Sequence, residues 1–411
     1  MTAMRKLRTT NVILPAGCRV EAKLLLCCVQ GFLQEGGSER LQSLLEEEID
    51  WDCVIRKACL HGIVPIVYRT LEGMTEERVP KAVLNKLWVY TRMIADRNTL
   101  LVDELNTILK LFSSEGIKAM PLKGPLLAAK LYGNLKLRPA WDLDILVRAQ
   151  DVLKAKRLLL TRGYLIKKDL DNRKEKEYLK LEYALHFYSA ELKLTVDVHW
   201  RILPRQAFES DFLWNHAVRA RTGEIQSLWL APEELFLFLC IHGDRHCWCQ
   251  LKWILDTALV LVRHPTINWD RIKELACETG NRRIILRALC IVDRILGVPT
   301  PQKLAYEVYA CHHNLAYTGV VMGQLFREDY GLPGFREWRQ YMEMLGVERT
   351  EGKLRRSRLC SLFQYLLVVI SPRFVERKAI NLRRSLSLPN WLYLPLRPIW
   401  RQVLRLLRRL R

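Results

Sequence analysis

The residues most able to do chemistry in this chain are two aspartates, Asp142 and Asp144, at the head of the apolar run Leu143 to Val147. In a strand, successive side chains alternate faces. Asp142 and Asp144 then project to one side, while Leu143, Ile145 and Val147 enter the core. Two adjacent carboxylates suit a hard divalent cation such as Mg²⁺, which takes oxygen ligands and leaves positions for substrate phosphates. Spacing alone is weak: with Asp at about 5% of residues, one Asp-x-Asp is expected by chance in a chain of this size. Three are present. Asp50 and Asp52 precede a helix-like run and read as capping residues, while Asp169 and Asp171 precede the charged stretch Asn172 to Glu177 and read as a loop. Only Asp142 and Asp144 open an apolar strand behind a glycine turn, at Gly124.

A third carboxylate lies in a second alternating run. Leu192, Leu194, Val196, Val198 and Trp200 share one face, and Asp197 falls on the other with Lys193, Thr195, His199 and Arg201. A strand beside the first would bring Asp197 to Asp142 and Asp144, with the three carboxylates within roughly 4 to 7 Å of one another. The alternative is an ordinary half-exposed strand. Three acids on neighbouring strands suit two-metal phosphoryl or nucleotidyl transfer, with Asp197 helping to deprotonate an acceptor hydroxyl.

Elements able to position these strands are legible on either side. Up to about residue 95 the pattern is helical, and a long segment begins at Pro80 in which Ile94, Leu101, Leu105, Ile108 and Phe112 form one stripe. From Gly116 short apolar runs (Ile117 to Leu122, Leu143 to Val147, Tyr164 to Ile166, Leu192 to Val198) alternate with helical stretches such as Val152 to Thr161. From Pro232 helices return and run to about Leu345. The expected fold class is α+β, a small mixed sheet flanked by helical domains. The expected divisions are a helical region over 1–95, an α/β core over 96–215, a helical domain over 216–345 and a basic, Pro- and Arg-rich tail over 346–411.

With 411 residues, half of them hydrophobic and 27% charged, the chain has the composition of a folded protein of two or three domains. No apolar run reaches the eighteen or so residues that cross a bilayer, and Met1 to Ile13 lacks the pattern of a secretory leader. Twelve irregularly spaced cysteines read as reduced thiols, so a cytoplasmic location is expected. The net charge of +21 is uneven: the last 39 residues hold eleven Arg and Lys against the single Glu376. Within them Val403, Leu404, Leu407 and Leu410 face one side of an amphipathic helix. Its alternatives are packing on the protein body or a peripheral place on an anionic membrane surface.

The motifs Leu122-Lys-Gly124, Arg138 ahead of Asp142-Leu-Asp144-Ile-Leu-Val147, Gly163-Tyr164 and Val196-Asp-Val-His-Trp200 together resemble the uncharacterised bacterial nucleotidyltransferases of the polymerase-beta-like superfamily. Ala58-Cys-Leu-His61-Gly-Ile-Val-Pro65, the segment His242 to Asp256 and the late Leu388-Pro389 and Arg397-Pro398 extend the resemblance over roughly residues 45–400. It implies a nucleotidyltransferase sheet, a nucleoside triphosphate substrate, Mg²⁺ at Asp142, Asp144 and Asp197, and Gly124 as the turn facing the nucleotide.

One departure is that the superfamily's Gly-Ser turn is here Gly124-Pro125. Without the serine hydroxyl, phosphate contact falls to backbone amides at the helix start and to Lys123 or Arg138. Downstream, His242, His246 and Cys249 stand at i, i+4 and i+7, a helical face. It reads as a zinc site, as plain interdomain packing, or as the second wall of the active site, with His246 or Lys252 near phosphate or acceptor. The acceptor stays open among sugar, small metabolite, peptide and RNA. The rival to an enzyme is a catalytically weak adaptor held by its basic tail at a membrane or acidic partner.

Overall fold

The stripe predicted in the long helical segment closes on one continuous helix. The computed structural model describes residues 19–34, 39–75, 77–166, 178–202, 211–222 and 225–326. It divides the chain into Met1–Glu328 and Asp329–Arg411, and every described residue belongs to the first unit. The basic tail with its amphipathic segment, and the pair Asp169 and Asp171, lie outside the described residues.

Four helices, α1 (Val20–Gln34), α2 (Glu39–Leu44), α3 (Trp51–His61) and α4 (Val64–Leu71), precede α5 (Lys81–Ser114). As expected of a capping residue, Asp50 accepts a hydrogen bond from Cys53 N–H at 2.9 Å at the start of α3. Leu87, Ile94, Leu101, Leu105, Ile108 and Phe112 are all buried along α5. The division expected between residues 95 and 96 falls inside this helix, which serves both the N-terminal helices and the sheet.

The sheet contains β1 (Ala119–Pro121), β2 (Asp142–Val147), β3 (Leu165–Ile166), β4 (Ala184–Ser189) and β5 (Leu194–His199), in the order β1-β2-β5-β4-β3. β2 and β5 are parallel and the other pairings antiparallel, which makes it a mixed sheet. Helix α6 (Pro125–Tyr132) links β1 to β2, and α7 (Val152–Thr161) links β2 to β3. One face of the sheet is apolar: Leu143, Ile145, Val147, Leu185, Phe187, Val196 and Val198 join Leu101, Leu105, Ile108 and Phe112 of α5 and Ala155 and Leu159 of α7 in one core. Period-two strands bury one set of side chains this way, and the opposite set is left for the polar face.

A short helix α8 (Asp211–Asn215) and a two-stranded sheet, β6 (Val218–Thr222) with β7 (Ile225–Trp229), come next, so the region expected to be helical from 216 opens with strands. Helices α9 (Pro232–Arg245), α10 (Leu251–Arg263), α11 (Trp269–Glu278), α12 (Arg282–Leu296), α13 (Gln302–Ala310) and α14 (His312–Leu325) complete the described residues. Among them, no helix is long and apolar enough to cross a membrane.

The N-terminal helices and this later bundle meet at His61. Its Nε2 donates to the Leu325 carbonyl at 3.0 Å, and its Nδ1 accepts from Leu251 N–H at 3.4 Å, so the ring is neutral and fully enclosed. Burial, aided by Lys57, lowers its pKa to about 4. A base whose folded pKa lies below its unfolded value stabilises fully above the unfolded value, near 6.5, and progressively less as pH falls toward 4. The stability advantage of the wild-type chain over His61→Gln should therefore narrow by roughly 2–3 kcal/mol between pH 7.5 and pH 4.5. Denaturant unfolding of both proteins at the two pH values checks this; a constant difference would contradict it.

Candidate active site

The parallel pairing of β2 with β5 sets Asp144 opposite Asp197 and Leu143 opposite Val196. Since side chains alternate in step along both strands, the two acids emerge on the same face while the valines and leucines stay in the core. His199, two residues beyond Asp197, shares that face, and its Nε2 lies 2.9 Å from Asp144 Oδ1. One donor atom from each of Asp144, Asp197 and His199 lies within 4.8 Å of the others. Across the antiparallel pairing with β4, His186 is the register partner of Asp197 and places Nδ1 2.9 Å from its Oδ1.

Asp142 stands on the opposite flank of Asp144. The Lys123 ammonium sits 3.0 Å from Asp144 Oδ2 and 3.6 Å from Asp142 Oδ2, bridging the two acids. Burial alone would raise the Asp144 carboxyl, but Lys123 and His199 outweigh it and hold this acid well below the usual carboxylate range. Asp142 moves the other way, pushed up by the Asp144 charge and by burial against the pull of Lys123. Lys123, which burial alone would lower, is raised by the two acids. Asp144 is thus the shared centre, offering one oxygen toward His199 and the other toward Lys123.

Lys123 is carried by the turn between β1 and α6. Gly124 there has φ +77°, in the left-handed region, and a Cβ on it would meet the Asp142 carbonyl oxygen at 3.2 Å. Only glycine lets the backbone run this close to the acid strand without strain. Behind the turn, Leu122 N–H donates to the Asp144 carbonyl at 2.9 Å, which locks the lysine-bearing segment onto β2.

A family model described as an uncharacterised nucleotidyltransferase matches residues 47–297, which contain every one of these groups. The chain belongs to this nucleotidyltransferase family. Two solved structures of ANT(2″)-Ia are similar over part of the chain. The crystal structure in complex with adenylyl-2″-tobramycin is 12% identical and covers 44% of this chain and 98% of that one at a TM-score of 0.33. The solution structure is 11% identical and covers 47% and 96%, at a TM-score of 0.32. Among curated proteins, none matches the chain.

The remaining residues expected at the site separate into those near the acids and those that hold the scaffold. Lys252, at the start of α10, has its side chain packed where a Cβ on Gly62 would lie, 2.6 Å from its Cδ. Its ammonium feels the charges of Arg138, Asp256, Lys123 and Asp142, and burial with the Arg138 charge lowers its pKa to about 8. Arg138, expected to meet phosphate, is instead committed to Asp256 of α10. Its Nε donates to Oδ1 at 2.7 Å and its Nη2 to Oδ2 at 2.8 Å, with Tyr132 O–H on Oδ1 at 2.7 Å. Both charged partners are almost fully buried, so this arginine joins the nucleotidyltransferase core to the following helices.

The segment from His242 to Asp256 is not one helix. Helix α9 stops at Arg245, and Cys247 and Trp248 take left-handed φ values of 53° and 51°. The Trp248 indole fills the space over Gly243, where a Cβ would come within 2.3 Å of the ring. With the helix broken there, the i, i+4, i+7 face that suggested zinc does not exist. His246 packs against the His242 and Trp253 rings at centroid distances of 4.7 and 4.9 Å. His242 of this segment is within electrostatic reach of Asp144: burial, Lys123 and His246 push its pKa well down, and Asp144 opposes them.

Two positioning residues of this nucleotidyltransferase escaped the sequence reading, and they are neighbours on α5. Asn98, fully buried, donates to the Leu135 and Arg138 carbonyls and accepts from Ala140 N–H, which fixes the loop into β2. Arg97 donates to the Leu192, Lys193 and Trp141 carbonyls and so ties together the entries of β2 and β5. The available signal was an asparagine inside an otherwise apolar stripe, between Ile94 and Leu101.

Proposed function

We propose that this chain transfers a nucleoside monophosphate from a nucleoside triphosphate to an acceptor hydroxyl, using a divalent cation held at the aspartate cluster. The observation that carries the reading is the placing of Asp144 beside Asp197 on one polar face, with Asp142, Lys123, Lys252 and His242 around them. The donor set fits a cation. Asp144 Oδ2 is buried against the Lys123 ammonium at 3.0 Å and Asp197 Oδ1 lies 2.9 Å from His186 Nδ1, carboxylate oxygens that a cation would claim in place of those partners. Asp144 and Asp197, with Asp142 beside them, would supply the carboxylate oxygens that suit an ion such as Mg²⁺, and it would polarise the α-phosphate and acidify the acceptor hydroxyl.

The chain's own groups do the rest. Lys123 has a flexible stem, and its ammonium is placed to exchange carboxylate for phosphate as nucleotide enters. Lys252 and His242 line the opposite wall and add positive charge or hydrogen-bond donors for the polyphosphate. Gly124 brings the backbone at the start of α6 against the acid strand, where amides take the part of the missing serine hydroxyl. Asp197, on the His186 side, is placed to draw the proton from the acceptor. The acceptor itself is a sugar, small metabolite, peptide or RNA bearing a free hydroxyl.

The reading predicts that incubation with each of the four α-³²P nucleoside triphosphates, Mg²⁺ and a cell extract labels a component of the extract. Labelling should need both the protein and the metal. Absence of metal-dependent labelling with all four nucleotides would remove the enzymatic reading and leave the adaptor.

A further inference from the structure

Among the described residues, the groups whose donor atoms lie within 4.8 Å of one another include a histidine. They are Asp144, Asp197 and His199, two oxygen donors and one nitrogen. Asp142 belongs instead with the ammonium of Lys123, which already spans it and Asp144. We propose that Asp144, Asp197 and His199 form a mixed oxygen and nitrogen site for a single divalent ion, which binds a first-row transition ion more tightly than Mg²⁺. This rests on the reading above that the acid cluster holds the cation; what it adds is the donor set, the stoichiometry and the metal class.

Three observations support it. The first is spacing. An octahedron with bonds of about 2.1 Å has neighbouring donors about 3.0 Å apart and opposite donors about 4.2 Å apart. His199 Nε2 and Asp144 Oδ1 stand at 2.9 Å, and the whole set lies within 4.8 Å, so loading requires only a small contraction.

The second is orientation and burial. His199 is 8% exposed, and its Nδ1 is buried without a hydrogen-bond partner, so its directed polar contact is the one that aims Nε2 at the acids. Asp144, 4% exposed, turns one oxygen to His199 and the other to the Lys123 ammonium at 3.0 Å, so both are held in place at the centre of the cluster. The third is charge. Three carboxylates outnumber the ammoniums of Lys123 and Lys252 beside them, and the remaining negative charge favours a bound cation.

Metal class follows from the nitrogen. Imidazole binds first-row transition ions well, whereas Mg²⁺ takes oxygen ligands and keeps its waters. A site with one imidazole donor therefore gives the transition ion an advantage that three carboxylates would not.

The test uses the full-length chain freed of metal and titrated with Mn²⁺, bound ion being followed by electron paramagnetic resonance. About one Mn²⁺ per chain should bind, and Mg²⁺ should displace it only at more than about tenfold excess. Pulsed resonance should show histidine ¹⁴N coupled to the manganese, converting to ¹⁵N in protein labelled at histidine, a readout that needs no variant. His199→Gln, checked by circular dichroism for retained fold, should weaken Mn²⁺ about tenfold or more while Mg²⁺ changes less than threefold. Asp144→Asn should remove both ions.

If Asp144→Asn abolishes binding but no histidine coupling is seen, the nitrogen donor is refuted and the carboxylate reading stands. The same holds if His199→Gln weakens both ions alike, which is the mark of a structural role. Failure of the wild-type chain to bind Mn²⁺, or binding that survives Asp144→Asn, overturns the proposal together with the reading beneath it.

Discussion

Asp144→Asn should lower nucleotidyl transfer by about a thousandfold or more in kcat/KM, a loss of about 4 kcal/mol of transition-state stabilisation. Asp144 occupies the centre of the polar face, with Lys123 at 3.0 Å on one oxygen and His199 at 2.9 Å on the other. An amide keeps the shape but supplies neither the charge that holds a cation nor the acceptor pair that orients both neighbours. The fold should survive. Asp142 remains to balance Lys123, and the substitution relieves the repulsion between Asp144 and Asp142. Because Lys123 and His199 hold the Asp144 carboxyl below its ordinary range, its charge stabilises the folded state, so the melting temperature should fall modestly while the chain stays folded. Label transfer and thermal melts on the same preparation check both halves. A variant that kept more than a tenth of wild-type kcat/KM would sink the assignment of Asp144.

Asp256→Asn and Arg138→Met should each destabilise the described unit by about 3–5 kcal/mol, because each leaves the other charge buried without its partner. The pair is 4% and 1% exposed, joined by two charge-assisted hydrogen bonds, and shares Asp256 Oδ1 with Tyr132. At roughly 2–4 °C per kcal/mol for chains of this order, the melting temperature should fall by about 10 °C. The double variant Arg138→Met with Asp256→Leu should lose less than either single change, since no charge is then stranded. Melting within about 2 °C of wild type for both single variants would show that water reaches the pair and that it does not join the core to α10.

How much of this was written in the chain itself can be argued from these same residues. Local alternation decided faces: Asp142 and Asp144 against Leu143 and Ile145, and Asp197 against Val196 and Val198, were legible because a strand has a period of two whatever it pairs with. The α5 stripe was legible for the corresponding reason, a period of 3.6. The Gly124 turn could be placed because few residues accept its backbone angles. Strand β4 was missed: its short run Ala184–Ser189 follows a charged stretch, and it is defined by pairing with β5.

Only the tertiary structure decided which groups meet. The parallel register of β2 with β5 set Asp197 and His199 beside Asp144. Arg138 was drawn to a carboxylate 118 residues away, and the helix through His246 was broken by a tryptophan folding back onto Gly243. The physical reason is common to all three. Periodicity is a property of a few neighbouring residues, whereas pairing register, buried ion partners and the filling of a cavity depend on surfaces that exist only after distant segments have packed.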